Sequence, residues 1–377
     1  EERTMRFRSL SLTAAAALCF ALPSVASAQD LSSMSWDEIV AQAQEEGEVV
    51  WYVWYFQPAY REFVEPFTEA TGIEVIIPEG THDGNFEKML AESGRDTGDI
   101  DVLALGGSRH AVFDQSDYYV GPLNDVLPGG DQLTYTLEGV DTDGYAVAFW
   151  GNQTGLAYNP LLVDFEDLPQ TLPELEAWMA ENPQMFGFNY ENGGSGPSFV
   201  QSMVRNILPD IDTTDGTLND ERLASLSPVW DWFLDRSDQF VITASNADSL
   251  TRVNDGEFAV VAAWEDHLAS LQAQGEVGDH IAFYIPQWGH NGGGNLNGIP
   301  QNAPHPAAAL VFLDWLTSAD TQTALNQRFG VAPMHPEADD SAALVPNEQR
   351  AYSRVWTAQP FGDEIRNAFI ENVALEM

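Results

Sequence analysis

Two short apolar strands joined by a polar turn occupy residues 146–160, and this stretch limits the possible architectures more than any other. Residues 146–149 are small or apolar, and a second apolar run at 156–158 ends at Asn159-Pro160. Between them, residues 150–155 place indole, amide and hydroxyl groups on backbone that glycine leaves free to bend. The pattern predicts a chain that crosses from one lobe to another beside a solvated cleft.

Strands and helices alternate on the N-terminal side of this crossing. A continuous apolar and aromatic run at 49–55 and mainly apolar stretches at 73–77 and 101–105 predict strands, and apolar residues at helical spacing lie before and between them. Such alternation predicts parallel pairing, with ligands at the carboxyl ends of the strands. The candidate ligand contacts at these ends are Trp54, Tyr55, Asp83 and Ser108.

The order of these motifs resembles the bacterial extracellular solute-binding proteins of ABC importers. The crossing reads aromatic-Gly-x-x-x-Gly-aliphatic-x-Tyr-Asn, residues 71–75 read Thr-Gly-Ile-x-Val, and residues 318–322 read Ser-x-x-x-Gln. The resemblance extends from about Trp36 to Leu325. It implies an α/β, two-lobed periplasmic-binding-protein fold of type II, with interleaved lobes, a hinge and a central cleft, and no catalysis or cofactor.

The same resemblance implies a division of the chain into alternating segments. Residues 29–148 and 265–330 are expected in the first lobe, and residues 149–264 and 331–377 in the second. The return crossing is expected at the end of the apolar strand that leads to Trp264.

The first 28 residues have the pattern of a cleavable signal peptide. Arg6 and Arg8 precede an apolar run at 10–22, and Ala26-Ser27-Ala28 forms an A-x-A cleavage site. This predicts export to the periplasm. The chain has one cysteine, Cys19, within this segment, so the exported protein is predicted to contain no disulfide and no cysteine metal site.

The charge is strongly negative, because 58 acidic residues face 15 basic ones and give a formal net charge of −43. A nucleic-acid partner is not expected, since phosphate binding requires the opposite sign. The acids are spread along the chain, which is typical of a solvated surface adapted to a saline habitat. A specific cation sink is the alternative.

Motifs for catalysis and for metal binding are missing from the sequence. It contains no HExxH, CxxC or Walker lysine loop, and residues 193–197 lack the final glycine of a nucleophile elbow. Because these motifs are missing, we expect no enzyme activity and no bound metal. The alternative from another functional class is a secreted hydrolase that uses Glu265 with Asp83 as a carboxylate pair.

A second set of candidate ligand contacts lies at or after the crossing. For the tryptophans the competing interpretation is core packing, and for the serine it is a helix N-cap. The set consists of Trp150, Asn152, Ser195, Trp264, Glu265 and Trp288.

Aromatic faces together with one carboxylate suit an organic cation, such as a polyamine or a thiamine-like compound. The same faces also suit sugar rings, which remain an alternative. The resemblance implies that the solute is delivered to permease subunits in the inner membrane, and a monomer is expected.

Overall fold

The computed structural model describes residues 31–137 and 140–377, and the predicted signal peptide lies outside them. The strands are β1 (Glu48–Tyr52), β2 (Glu74–Ile76), β3 (Val102–Gly106), β4 (Thr136–Leu137), β5 (Val140–Asp141), β6 (Ala146–Trp150), β7 (Thr154–Tyr158), β8 (Phe186–Asn189), β9 (Phe240–Thr243), β10 (Val260–Trp264), β11 (Ala282–Tyr284), β12 (His290–Asn291), β13 (Asn295–Gly298) and β14 (Ser353–Arg354).

The helices that join these strands follow in the same order. They are α1 (Trp36–Glu46), α2 (Gln57–Phe63), α3 (Glu65–Thr71), α4 (His82–Glu92), α5 (Gly107–His110), α6 (Leu172–Glu181), α7 (Ser195–Ile207), α8 (Asp220–Ala224), α9 (Ser227–Leu234), α10 (Asn246–Asn254), α11 (Glu265–Ala273), α12 (Pro306–Thr317), α13 (Ala319–Phe329) and α14 (Phe361–Phe369).

Local sequence signals account for the ends of the first helix, α1. Ser35 and Glu38 form a reciprocal capping box, in which the Ser35 amide donates to the Glu38 carboxylate at 2.8 Å. Gly47 ends the helix in the left-handed conformation, with φ of 76°. The buried residues Ile39 and Ala43, four positions apart, place one face of α1 against the first lobe.

The first lobe is built on a five-stranded sheet with the order β2-β1-β3-β13-β6. β1 pairs in parallel with β2 and β3, as the strand and helix alternation predicts, whereas β13 runs antiparallel to both of its neighbours. One face of this sheet packs against α1 and α12 through Trp51, Phe149 and Phe312, which are almost completely buried. The antiparallel strand arises because β13 enters the sheet from the opposite lobe.

The second lobe is built on another five-stranded sheet, with the order β11-β7-β10-β8-β9. β8 lies parallel to β9 and β10, and β7 lies antiparallel to β10 and β11. One core of this lobe joins Phe188, Phe199 and Phe233 to Phe361 and Phe369 from the end of the chain. The second lobe therefore depends on residues that are far apart in sequence.

The return crossing lies later in the chain than the sequence analysis placed it. β11 pairs with β7, and Leu268 and Leu271 of α11 belong to a core of the second lobe. Residues 265–291 are therefore part of the second lobe, and the predicted assignment of 265–330 to the first lobe is wrong for this portion. The reason is that α11 folds back on its own sheet after β10, and the chain returns only through β12 and β13.

Three crossings meet at the junction of the lobes. Isolated antiparallel bridges join Gly151 to Ala332 and Gln153 to Gly292, so segments from all three crossings lie side by side. Arg350 adds a side-chain connection, because its guanidinium donates to the carbonyl of Gly151 at 3.2 Å. These contacts lie at the base of the cleft, and we expect the hinge to lie there.

Candidate functional site

A cavity of about 290 Å³, which we call the central cavity, lies between the lobes above the crossings. Its first-lobe wall follows the end of β1 and the end of β6, and its second-lobe wall follows β10 and the first turns of α10 and α11. The carboxyl ends of β1 and β10 therefore face the same space, as expected for open α/β sheets. The lining residues are Trp54, Tyr55, Phe56, Trp150, Asn152, Asn246, Trp264, Asp266, His267, Gly293 and Asn295.

Aromatic packing fixes the first-lobe wall of the central cavity. The Trp150 ring lies 5.4 Å from Tyr55 and 5.2 Å from Phe329, measured between ring centroids. The Trp54 ring lies 4.2 Å from the His82 ring and 4.9 Å from the Tyr55 ring, again between centroids. Rings held on several sides lose little further freedom when a solute binds, which favours affinity.

Asp266 supplies the carboxylate of the central cavity. It is the second residue of α11, and its side chain is 7% exposed. Its backbone amide donates to Asn152 Oδ1 at 3.2 Å, which joins the two residues across the crossing. Burial raises the pKa of the Asp266 carboxyl to about 7, against 3.8 for the ordinary group.

Asn295 presents an acceptor to the same cavity. Its Nδ2 donates to Tyr55 Oη at 3.0 Å and to the Gly293 carbonyl at 3.2 Å, which fixes the orientation of the amide. Its Oδ1 is buried and has no hydrogen-bond partner within residues 31–137 and 140–377. A buried acceptor without a partner is costly, so a donor from a solute would be favoured there.

Two further cavities adjoin the central one through shared walls. The rim cavity, about 300 Å³, shares Trp54, Trp264 and Asn295 with the central cavity and extends to Asp83 and Ser108. The side cavity, about 450 Å³, lies between Trp54 and His82 of the first lobe and α7 and α14 of the second. The indole rings of Trp264 and Trp356 stack at 6.3 Å beside this boundary.

The structure brings most of the predicted contacts together. Five line the central cavity, and Asp83 and Ser108 line the rim cavity. The five are Trp54, Tyr55, Trp150, Asn152 and Trp264.

Three predicted contacts lie elsewhere. Ser195 Oγ is buried and lies 2.8 Å from Asn189 Oδ1 and 2.7 Å from Asn246 Oδ1, so it holds the start of α7. Trp288 packs into a core of the second lobe. Glu265 is completely buried away from these cavities.

A buried ion pair accounts for the position of Glu265. Both oxygens of its carboxylate accept from Arg350, at 2.6 Å from Nη2 and 3.1 Å from Nη1. The prediction that Glu265 is the carboxylate of the cleft is therefore replaced by Asp266, the next residue. Glu265 and Arg350 instead bind the C-terminal segment to α11.

The residues that sequence reasoning missed are Asp266, Asn295 and Trp356. Glu265 and Asp266 form an acidic pair directly after β10, but the sequence does not show which of the two carboxylates turns toward the cleft. Asn295 lies in the glycine-rich run at 292–298, where an asparagine directly after three glycines was the available signal. Trp356 follows β14, and no motif around it pointed to the cleft.

No group of three or more His, Cys, Asp or Glu side chains is placed to hold a metal ion in residues 31–137 and 140–377. Among the helices of these same ranges, none has the length and apolar character needed to cross a bilayer.

Comparisons with known proteins identify what the chain is similar to. A family model described as bacterial extracellular solute-binding protein matches residues 62–351. A probable ABC transporter periplasmic-binding protein of Sinorhizobium fredii is 25% identical over 221 residues, which cover 58% of this chain and 56% of that protein. The match thus spans little more than half the length of this curated relative.

Solved structures share the fold at low sequence identity. PotD, a spermidine/putrescine substrate-binding protein of Streptococcus pneumoniae, superposes with a TM-score of 0.64 at 13% identity, covering 88% of this chain and 99% of that one. An extracellular solute-binding protein of Bordetella parapertussis gives 0.63 at 15% identity, covering 87% and 99%. Iron-bound HitA of Pseudomonas aeruginosa gives 0.59 at 17% identity, covering 87% and 98%. The predicted two-lobed α/β fold is confirmed.

Proposed function

The chain belongs to the bacterial extracellular solute-binding protein family, and on that basis we propose that it is the periplasmic binding subunit of an ABC importer that captures an organic cation between its lobes. The family and the fold are those of substrate-binding proteins and not of enzymes. Members of such a family act outside the cytoplasm, which agrees with the export signal predicted at residues 1–28. Capture without chemical change is therefore the activity to test.

The observation that carries the cation proposal is the carboxyl group of Asp266 inside an aromatic cavity. A carboxylate that is 7% exposed and has no arginine or lysine within 4 Å in the described ranges lacks a compensating charge. A solute cation would supply that charge and would stabilise the ionised form. A neutral solute would leave the desolvation cost of Asp266 unchanged.

The aromatic walls favour an organic cation over a bare metal ion. The faces of Trp54, Tyr55 and Trp264 attract ammonium groups through their π-electrons, and they also cover the apolar part of the solute. The unpartnered Oδ1 of Asn295 is an acceptor for one N–H of the same group. Carboxylate, amide oxygen and aromatic faces together form a site for a substituted ammonium.

The printed functions of the structural relatives are consistent with several solutes. PotD is named for spermidine and putrescine, whereas HitA is described as iron-bound. Identities of 13% and 17% carry the fold and not the ligand, so the cation proposal depends on Asp266 and its surroundings.

Delivery requires a membrane partner, and we assign this role to the permease subunits of the importer. The binding protein is proposed to act as a monomer that presents both lobes to the permease after closure. Hinge closure around the solute is a common transition in periplasmic binding proteins.

A sugar is the second candidate, because tryptophan faces also pack against sugar rings. Trp264 stacked on Trp356 offers a broad flat surface of this kind. The two candidates differ at Asp266, since a neutral sugar does not require an ionised carboxylate. The hydrolase alternative has no geometric support, because Glu265 is saturated by Arg350 while Asp83 lies at the rim beside Arg109.

The test is a binding screen followed by one matched pair of variants. Polyamines, thiamine and its precursors, amino acids, sugars and ferric ion are screened by thermal shift at high salt, and positive compounds are measured by calorimetry. We expect a cationic compound to bind, and Asp266→Asn to weaken it roughly a hundredfold, since one partner of a buried charge pair is lost. Asp279→Asn, at an exposed position of the same lobe, should leave affinity unchanged. Binding of sugars alone, or full affinity in Asp266→Asn, would contradict the cation proposal.

A further inference from the structure

Four charged side chains surround the mouth of the cleft, and none of them is needed for the solute contacts described above. We call Asp83, Arg109, Asp363 and Arg366 the rim quartet. We propose that the rim quartet is an electrostatic latch: when the lobes close, Arg109 pairs with Asp363 and Asp83 pairs with Arg366, and these pairs hold the closed form. The inference uses the lobe closure on which the proposed function rests, but it does not depend on which solute is bound.

The first-lobe half of the rim quartet is already an ion pair. Arg109 Nη2 donates to Asp83 Oδ1, and the guanidinium lies 5.5 Å from the centre of the Phe86 ring. The Arg109 side chain is 21% exposed, whereas that of Asp83 is 67% exposed. Phe86 and Asp83 thus orient Arg109 at the rim, while Asp83 keeps acceptor capacity facing solvent.

The second-lobe half carries the opposite charges on one helix. Asp363 and Arg366 are three residues apart on α14, so their side chains lie on neighbouring positions of the same face. Both are exposed, and neither makes an ion pair with any residue of the described ranges.

The two halves face each other across the open space of the cleft. Asp83, Arg109 and Asp363 line the rim cavity of about 300 Å³, and Arg366 lines the adjoining side cavity with His82 and Trp54. Asp83 and Arg109 lie on the first-lobe wall of the cleft, and Asp363 and Arg366 lie on the opposite wall, on α14. Closure of the lobes therefore shortens the distance between opposite charges. Each lobe contributes one positive and one negative group, which allows two pairs to form without a net excess.

The histidine at this boundary does not carry charge at neutral pH. Burial and the nearby Arg109 lower the pKa of His82 to about 4, and the ring accepts from the Gly106 amide at 3.3 Å. Gln359, which also lines the rim cavity, is neutral. The electrostatics of closure at the rim are therefore set by the rim quartet.

The expected strength of the latch follows from exposed ion pairs. Such pairs are weak and screened by salt. Removal of one charge should therefore shorten the lifetime of the closed state by about fivefold rather than abolish closure. A latch of this size holds a captured solute without preventing its release.

Proximity on closure is tested by cross-linking in protein without any solute. In a Cys19→Ser background, which removes the one cysteine of the chain, Arg109→Cys and Asp363→Cys introduce the only thiols. A short bifunctional thiol reagent should join them within one chain. The control pair is Arg109→Cys with Glu371→Cys, eight residues further along and about 12 Å away if helical. Equal yields in the two pairs, or no product in the first pair, would overturn the latch.

The role of the charges is tested by a double-mutant cycle, also without solute. Dyes at Glu87→Cys and Asp231→Cys report lobe separation by single-molecule energy transfer in the Cys19→Ser background. Arg109→Gln and Asp363→Asn should each shorten closed periods by about fivefold at low salt, and the double variant should shorten them no further. Glu364→Gln, the neighbouring charge on α14, is the matched control and should have no effect.

Additive effects of the two substitutions, unchanged closed periods, or no closed periods in the parent protein would each overturn the proposal. Because neither assay contains a solute, these outcomes are independent of the screen that tests the proposed function.

Discussion

The carboxyl group of Asp266 has an ionisation state that depends on what occupies the cavity. Burial raises its pKa to about 7, so that a large fraction of the unliganded protein carries the neutral acid at neutral pH. A bound cation requires the ionised form, so binding releases a proton whenever the acid was neutral beforehand. Asp266 thereby links cation capture to the pH of the compartment.

Cation affinity should therefore depend on pH in a defined direction. Below about pH 7 we expect the apparent affinity to fall about tenfold per pH unit, and above it to be constant, because only ionised Asp266 binds. His267 also lines the cavity, and burial lowers its pKa from the ordinary value of 6.5. Calorimetry across this range is the measurement, and Asp266→Asn should give a flat profile. A slope that persists in Asp266→Asn would contradict the assignment.

The sign for folding stability without solute is the reverse. The pKa of Asp266 is higher in the folded protein than its ordinary value of 3.8. Its contribution to folding stability is therefore fully present below pH 3.8. The contribution is lost as the pH rises through about 7. Stability of the unliganded protein and affinity for a cation therefore respond to pH in opposite directions.

At the residue scale, the sequence predicted the aromatic walls but selected the wrong carboxylate. Trp150 and Trp264 could be predicted because each is the aromatic residue that ends an apolar strand, β6 or β10. Glu265 and Asp266 could not be distinguished, because successive helical residues differ by about 100° in direction and both are acidic. Arg350 distinguishes the two, because its guanidinium binds the Glu265 carboxylate from a position 85 residues away in sequence.

At the element scale, the return crossing between β12 and β13 packs directly against the wall of the central cavity. The Gly293 amide donates to the Asn152 carbonyl at 3.1 Å, which holds two crossings together. A Cβ atom at Gly293 would lie 2.0 Å from Cζ3 of Trp264. Glycine is required there because the backbone passes directly against the indole.

Gly293→Ala should displace Trp264 from the cavity wall. We expect the affinity for the solute to fall about tenfold and the free energy of unfolding to fall by about 1–3 kcal/mol, the usual range for overpacking. Calorimetry and denaturant unfolding measure the two effects. Gly94→Ala is the control, because a Cβ there meets nothing within 4 Å. Unchanged affinity in Gly293→Ala would show that the position of Trp264 does not matter for binding.

At the element scale, local patterns predicted the helices and strands better than their connections. The capping box at Ser35 and the helix that begins at Glu265 are specified by residues within one or two turns of each other, so their signals are local. The return crossing was placed too early because the end of β10 looks like a strand that leaves its sheet. Only the pairing of β11 with β7, more than 120 residues apart, reveals that the chain stays in the second lobe.

For the whole molecule, the net charge of −43 is the dominant long-range effect. Dispersed negative charges repel one another, and this repulsion opposes the compact state unless salt screens it. The rim quartet responds in the opposite sense, because salt weakens attraction between its members. Salt is therefore expected to stabilise the fold while it shortens the lifetime of the closed state.

The melting temperature should rise as salt is added. Sodium chloride and potassium chloride at equal concentration should give equal increases if screening is the cause. Thermal unfolding followed by circular dichroism measures both. A flat or falling midpoint would contradict the screening argument, and a clear preference for one cation would favour the specific cation sink.

The late position of the residues that complete the second lobe has a consequence for biogenesis. Phe361, Ile365, Phe369 and Val373 are nearly or completely buried in a core whose other members begin at Leu156. That core cannot close until more than two hundred intervening residues have been made, so its formation is slow relative to contacts between neighbours in sequence. A chain that emerges gradually from a ribosome or an export channel would keep this lobe incomplete, and hence unfolded enough to be threaded, until residues 361–373 arrive.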